Sequence, residues 1–198
     1  DRLHTTAAAH HRVMILEVMG RNAGWIALHS GSAGGADVIL IPEIPYSMDA
    51  ICRAVKKRAQ RGKKFSLIVV AEGALEKGGK VIMKKLDPKN PYPVKLGGVG
   101  AYLAERIEKL TGLETRSANL GHVQRGGSPT PPDRVLGTLF GTYAVELIHQ
   151  QKWAQMVCTQ GGTIKSIPIE QAVSKLKKVP LDNPLIVAGE AVGINFGR

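Results

Sequence analysis

Residues 12–25 read RVMILEVMGRNAGW, a pattern that predicts a strand, a turn and the start of a helix. The run Arg12–Val18 is rich in valine, leucine, isoleucine and methionine, which is typical of a buried strand. A glycine-containing turn follows, and the small residues of Ala23–Ala33 then predict a helix. A helix in this position directs its amino end towards a crevice beside the strand end, where anions bind favourably.

The rest of the chain continues this alternation of apolar strands and amphipathic helices. Ser47 is placed to cap one helix, and Gly112 is placed to end another. The pattern predicts an α/β fold, doubly wound, with a mostly parallel sheet and helices on both faces. The further predicted strands are 37–42, 65–71 and 115–120, and the further predicted helices are 48–60 and 94–110.

The organisation changes towards the carboxyl end. Glycine, lysine and proline dominate Leu75–Pro93, which predicts a loop or a short hairpin. Asp133 is placed to cap a long helix that ends near Gln150. Two short strands and a helix are predicted after it, at 153–159, 163–168 and 170–177. We therefore divide the chain into an α/β domain (1–130), a helix with short strands (131–180) and a C-terminal segment (181–198).

Composition narrows the function classes. With 198 residues, 43% of them hydrophobic, the chain can bury a sizeable core. Cys52 and Cys158 are far apart and lack metal-ligand spacing, so reduced thiols and a cytoplasmic location are expected. No apolar run approaches the ~20 residues that span a bilayer. His10 and His11 would point to opposite faces of a strand, and no zinc-binding spacing occurs, so no metal site is expected.

The formal net charge of +11 indicates an anionic partner. Its basic cluster at residues 56–64 lies at the end of a predicted helix, where cations are favoured and usually solvated. Aromatic residues are scarce and are not interleaved with the basic runs, which leaves little for base stacking. Neither a nucleic-acid partner nor a membrane partner is therefore expected.

Three polar segments follow predicted strand ends: Met19–Arg21, Glu72 and the loop 120–129, LGHVQRGGSP. His122 and Arg125 stand three residues apart in that loop, just before two glycines. A guanidinium binds phosphate bidentately, and an imidazole adds a further donor. Because ligands bind at the carboxyl ends of parallel strands, the three segments are expected to converge. The alternative for the loop is a basic surface turn.

These three segments, in this order, resemble the 6-phosphofructokinase family, where they jointly bind fructose 6-phosphate. The resemblance implies that Met19 and Gly20 shape the sugar site and that Arg21 stabilises the transferred phosphoryl group. It also implies that Glu72 accepts hydrogen bonds from sugar hydroxyls, and that His122 and Arg125 hold the 6-phosphate. The alternatives are a helix-capping or salt-bridged role for Glu72 and a plain core role for Met19.

Two further arginines, Arg12 and Arg116, match family residues that reach across a subunit interface into a neighbour's sugar site. The resemblance therefore implies a homo-oligomer, a dimer or a tetramer. A third set, His4, Asp37, Arg61 and Lys63, corresponds to the family's effector site. His4 stands where bacterial members carry an arginine. The alternative for Arg61 and Lys63 is a solvated basic face.

The resemblance also indicates which parts of the family's machinery this sequence lacks. The donor loop, the Mg²⁺-binding acid and the general base belong to segments that precede the matched part in the family. The chain is thus expected to be the acceptor-binding portion of a longer enzyme and to be inactive alone. ATP or pyrophosphate and Mg²⁺ would bind through the missing half, and residues 131–180 would complete the missing first domain.

The function implied is phosphoryl transfer from ATP or pyrophosphate to the 1-hydroxyl of fructose 6-phosphate in glycolysis. The alternative is a non-catalytic regulatory or interaction domain that senses a sugar phosphate. An intact set of acceptor-binding residues favours the first of these.

Overall fold

The computed structural model describes residues 2–86 and 94–198. Internal contacts divide the chain into two units. The first unit consists of the residues up to Gln124 together with Lys178–Arg198, and the second is Arg125–Lys177. The three-part division at residues 130 and 180 stays a prediction.

A four-stranded parallel sheet forms the centre of the first unit. Its strands are β1 (Val13–Val18), β2 (Val38–Leu40), β3 (Ser66–Ala71) and β6 (Thr115–Asn119). Their order in the sheet is β2-β3-β1-β6, with β1 and β3 in the middle. All three pairings are parallel, as the βα alternation predicts. Each strand begins and ends within two residues of its predicted bounds.

Helices cover both faces of this sheet. They are α1 (Arg2–His10), α2 (Trp25–Ala33), α3 (Met48–Gln60), α4 (Val99–Thr111) and α7 (Pro184–Ala191). Alternate residues of each strand point to opposite faces, so Ile15 and Ile68 pack with α3 and α4 on one face. Met14 and Leu67 pack on the other face with α1, α2 and α7. The doubly wound α/β fold class is therefore confirmed.

The predicted ends of two helices are confirmed. Ser47 Oγ accepts a hydrogen bond from the backbone N–H of Ala50, with 3.4 Å between oxygen and nitrogen. Gly112 ends α4 with φ 73°, a left-handed conformation that glycine adopts without a steric penalty.

The predicted helix over 94–110 is wrong at its start. Val94–Leu96 forms strand β5, which pairs antiparallel with β4 (Met83–Leu86). Gly97 and Gly98 follow with φ 124° and 94°, so no helix can pass through them. The hairpin agrees with one of the two structures predicted for Leu75–Pro93, and residues 87–93 lie outside the described residues.

The structure places His10 and His11 at the end of a helix, α1, that was not predicted. His10 is the last residue of α1, and His11 is in a turn with φ 53°. Ala7–Ala9 are strong helix formers, and this signal would have predicted the helix. Helix α7 was also not predicted from the sequence. Among the described residues, no helix has both the length and the apolar character needed to cross a bilayer.

The second unit contains a long helix, a hairpin and a short helix. Asp133 is not the cap of the long helix, as predicted, but lies in its first turn: its Oδ2 accepts hydrogen bonds from the N–H (3.1 Å) and hydroxyl (2.6 Å) of Thr130. The short helix ends at Val173, four residues before the predicted end. The elements are α5 (Pro131–His149), β7 (Gln155–Gln160), β8 (Thr163–Pro168) and α6 (Ile169–Val173).

Candidate functional site

Two predicted segments meet at the carboxyl ends of neighbouring strands. Strands β1 and β3 end side by side, with Val18 opposite Ala71, so the turn Met19–Arg21 and Glu72 emerge together. Glu72 Oε1 accepts hydrogen bonds from the backbone N–H of Arg21 (3.0 Å) and of Gly20 (3.3 Å). Glu72 is half-buried, whereas the Arg21 side chain is exposed. The carboxylate therefore fixes the turn that carries the exposed arginine.

The Met19–Arg21 turn has an unusual backbone. Gly20 has φ 151° and Arg21 has φ 50°, a left-handed conformation that is uncommon for residues with a side chain. A Cβ at Gly20 would lie 2.6 Å from the carbonyl oxygen of Ala23. A Cβ at Gly73 would overlap the carbonyl oxygen of Arg21. The turn thus packs closely against the backbone that follows Glu72, and side chains there would displace it.

The third predicted segment lies next to the first. After β6 the chain forms a 3₁₀ helix over Gly121–Arg125, on which the His122 side chain is exposed. Gln124 connects this helix to the turn. Its Oε1 accepts a hydrogen bond from the Met19 N–H (3.4 Å), and its Nε2 donates to the Gly121 carbonyl (3.1 Å).

Gln124 is a residue that the sequence analysis did not single out. It lies between His122 and Arg125, and its amide both donates and accepts, which suits a bridge between two backbone segments. Arg125 is exposed and is the first residue of the second unit.

The amino end of α2 was predicted to bind a ligand anion, but in the structure it contacts a carboxylate of the chain itself. Both carboxylate oxygens of Glu43 lie 3.1 Å from the backbone nitrogen of Gly24, which caps this helix. Glu43 Oε1 also accepts a hydrogen bond from the N–H of Val179 (2.9 Å). A helix amino terminus favours negative charge, and here the chain's own carboxylate supplies it.

Arg12 and Arg116 lie near the amino ends of their strands, whereas the Met19–Arg21 turn follows a carboxyl end. The six residues of β1 separate these two ends by roughly 20 Å at the usual rise per residue. Arg12 Nε lies 2.7 Å from Glu114 Oε2, without hydrogen-bond geometry. Arg116 Nη2 lies 2.7 Å from Glu114 Oε1, and Arg116 Nη1 lies 3.4 Å from Glu108 Oε2. The structure therefore does not bring these arginines to Glu72 within the chain.

Two of the four predicted effector residues, His4 and Lys63, act electrostatically on a third, Asp37. Asp37 Oδ1 forms an ion pair with Arg58 (2.9 Å), and Oδ2 accepts the Leu67 N–H (2.8 Å). Burial raises the pKa of Asp37, and this outweighs the Leu67 hydrogen bond, Arg58, His4 and Lys63, which lower it. The His4 ring packs edge-to-face on Phe65, with ring centroids 4.8 Å apart.

A cavity of about 480 Å³ opens beside this carboxylate. Asp37 and Arg61 line it, whereas His4 and Lys63 do not. Its charged lining otherwise consists of basic residues: Arg53, Lys57, Arg58 and Arg198.

Within residues 2–86 and 94–198, no three His, Cys, Asp or Glu side chains are grouped so that they could hold a metal ion.

Comparison with known proteins identifies the class to which this fold and site belong. A family model described as phosphofructokinase matches residues 1–148. The chain belongs to the phosphofructokinase family.

The names of the curated relatives specify two different phosphoryl donors. The chain is 49% identical to an ATP-dependent 6-phosphofructokinase of Spirochaeta thermophila, aligned over 100% of this chain and 54% of the relative. It is 48% identical to a pyrophosphate–fructose 6-phosphate 1-phosphotransferase of Streptomyces coelicolor, over 100% of this chain and 56% of the relative. The chain thus spans about half the length of the curated relatives it matches.

Solved phosphofructokinase structures share the fold. The phosphofructokinase of Saccharomyces cerevisiae superposes with a TM-score of 0.72 at 32% identity, over 88% of this chain and 22% of the yeast chain. A pyrophosphate-dependent phosphofructokinase from Marinobacter aquaeolei superposes with a TM-score of 0.74 at 23% identity, over 98% of this chain and 48% of that one. At that identity, the second likeness concerns the fold alone.

Proposed function

We propose that this chain is the acceptor-binding portion of a 6-phosphofructokinase, which transfers a phosphoryl group to the 1-hydroxyl of fructose 6-phosphate. One observation carries the proposal. Glu72 is hydrogen-bonded to the Met19–Arg21 turn, and Gln124 joins the same turn to the loop that bears His122. The carboxyl ends of the strands thereby carry a carboxylate, an exposed arginine and an exposed histidine.

The chemistry of these groups suits a phosphorylated sugar. Glu72 accepts hydrogen bonds from sugar hydroxyls, while His122 and Arg125 bind the 6-phosphate. Arg21 stabilises charge on the transferred phosphoryl group. A hydrogen bond to a charged group contributes roughly 1.5 to 3 kcal/mol, so removal of the phosphate should weaken binding by an order of magnitude or more.

The donor and the general base are assigned to the rest of the enzyme. Phosphoryl transfer needs a phosphate cradle, Mg²⁺ and a carboxylate that takes the proton from the attacking hydroxyl. We assign none of these to the residues described, so this chain alone is expected to be inactive. ATP-dependent and pyrophosphate-dependent relatives are 49% and 48% identical to it, so overall identity does not select the donor.

Arg12 and Arg116 support a homo-oligomer, either a dimer or a tetramer. Both lie far along the sheet from Glu72 in their own chain, so they would complete a sugar site only in a neighbouring subunit. Binding there requires each guanidinium to exchange Glu114 for the sugar phosphate. We place the enzyme in the cytoplasm, with the other enzymes of glycolysis.

Calorimetry with fructose 6-phosphate and with fructose tests the proposal. The full chain should bind fructose 6-phosphate at least about tenfold more tightly than fructose, because only the former offers a dianion to the basic groups. Equal affinity for the two sugars would refute the assignment. If the longer enzyme that contains this chain binds fructose 6-phosphate tightly but transfers no phosphoryl group from either donor, the regulatory, non-catalytic domain is favoured instead.

A further inference from the structure

Glu17 is a buried carboxylate to which the proposed chemistry gives no role. It lies on β1, two residues before Met19, and only 3% of it is exposed. A buried charge is strongly unfavourable unless hydrogen bonds replace its water. The groups that donate hydrogen bonds to Glu17 therefore indicate its structural role.

Three donors surround the Glu17 carboxylate. The Gly98 N–H lies 3.0 Å from Oε1 and 3.1 Å from Oε2, and the Gly100 N–H donates to Oε2 over 2.8 Å. Asn119 Nδ2 donates to Oε1 over 2.7 Å. A Cβ at Gly100 would lie 3.1 Å from Oε2, so the glycine leaves room for the carboxylate. The amino end of α4 is thus fixed to β1.

The third donor connects Glu17 to the candidate site. Glu17 and Asn119 are opposite each other in the last residue pair of the β1–β6 pairing. The next backbone bond, from the Leu120 N–H to the Glu17 carbonyl, spans 3.2 Å. Beyond this pair the strands separate, one into the Met19–Arg21 turn and the other into the 3₁₀ helix that carries His122.

We propose that Glu17 is a positioning residue for sugar-phosphate binding. It holds Asn119, and with it the start of the His122 loop, in fixed register with the Met19–Arg21 turn. Glu17 contacts neither the sugar phosphate nor the phosphoryl donor. It acts through His122. This inference rests on the proposed function, because it presupposes that His122 binds the sugar phosphate.

A Glu17→Gln variant, made in the longer enzyme that contains this chain, separates positioning from simple stabilisation. The amide would point an NH₂ group at one or more of the N–H donors and lose a hydrogen bond there. We expect the KM for fructose 6-phosphate to rise about tenfold, while kcat and the KM for the phosphoryl donor change less than about twofold. A purely structural residue would lower the amount of active enzyme and leave both KM values unchanged.

Thr115→Val is the matched control. Thr115 is 2% exposed and lies on β6, the same strand as Asn119, but at its opposite end. The variant loses the hydrogen bond from Thr115 Oγ1 to the Leu113 carbonyl (2.9 Å). Its thermal unfolding midpoint should fall with no change in the KM for fructose 6-phosphate.

A double-mutant cycle with His122→Ala tests the route of the effect. If Glu17 acts through His122, then Glu17→Gln should lose most of its effect on KM once His122 is absent. An undiminished effect in that background would overturn the inference, as would an unchanged KM in the single variant. If Glu17→Gln fails to fold, Asn119→Leu at an exposed position removes the same link, and an unchanged KM there would also overturn it.

The two proposals fail in different ways. If the unmodified full chain shows no preference for fructose 6-phosphate over fructose, the proposed function fails. If it shows that preference and Glu17→Gln retains the original KM, only the positioning role fails.

Discussion

Glu72 Oε1 lies 3.0 Å from the backbone nitrogen of Arg21. The carboxylate that the family resemblance assigns to sugar hydroxyls therefore also fixes the arginine turn. Both observed bonds, from Gly20 and from Arg21, end on Oε1. We expect Oε2 to bind the sugar, so the two roles do not compete.

Substitution of Glu72 should distinguish turn geometry from charge. Glu72→Gln keeps a carbonyl oxygen that can accept the Gly20 and Arg21 N–H groups, whereas Glu72→Ala removes every acceptor. Isothermal titration calorimetry should show at least a tenfold loss of affinity for fructose 6-phosphate in the alanine variant and a smaller loss in the glutamine variant. Unchanged affinity in Glu72→Ala would contradict the assignment.

Gly73→Ala tests the close packing of the same turn from the other side. The new Cβ would overlap the Arg21 carbonyl oxygen, so the turn must shift and affinity for fructose 6-phosphate should fall at least about tenfold. Gly137→Ala is the control, because a Cβ at that helical position would point into open space. That variant should bind normally and be slightly more stable, since alanine favours helix. Equal binding by both variants would show that the turn tolerates displacement.

The strands and their turns could be predicted from local sequence. The run Arg12–Val18 is apolar over one strand length, and the glycine after Met19 requires a turn, so neighbouring residues carry the whole signal. The meeting of Arg21 with Glu72 also followed, because strands of a parallel sheet end at one edge. The family resemblance supplied the roles.

Hydrogen-bond partners that lie far apart in the sequence could not be predicted. Glu43 occupies the amino end of α2 from a separate loop, and nothing near Gly24 indicates that a carboxylate returns there. Glu17 is bonded to Gly98, 81 residues away. The helix predicted from Val94 failed for a local reason, since two left-handed glycines interrupt an otherwise helical pattern.

Arg125→Ala should weaken binding of fructose 6-phosphate at least tenfold, because a bidentate guanidinium–phosphate pair is lost. Its thermal unfolding midpoint should remain unchanged, as expected for an exposed side chain. Arg134→Ala removes another exposed arginine of the same unit and serves as the control. If calorimetry gave the same affinity for both variants, Arg125 would be an ordinary surface residue.

Asp37 should titrate above its ordinary pKa of 3.8, because burial outweighs the Leu67 N–H and the Arg58 charge. Between 3.8 and the folded-state pKa, the folded chain binds more protons at this carboxyl than the unfolded chain does. Its contribution to the free energy of unfolding therefore falls as pH rises through that window. Carbon-13 NMR of the carboxyl should show the raised midpoint, and Arg58→Met should raise it further by removing a neighbouring positive charge. A midpoint at or below 3.8 would mean that hydrogen bonding and the Arg58 charge outweigh burial.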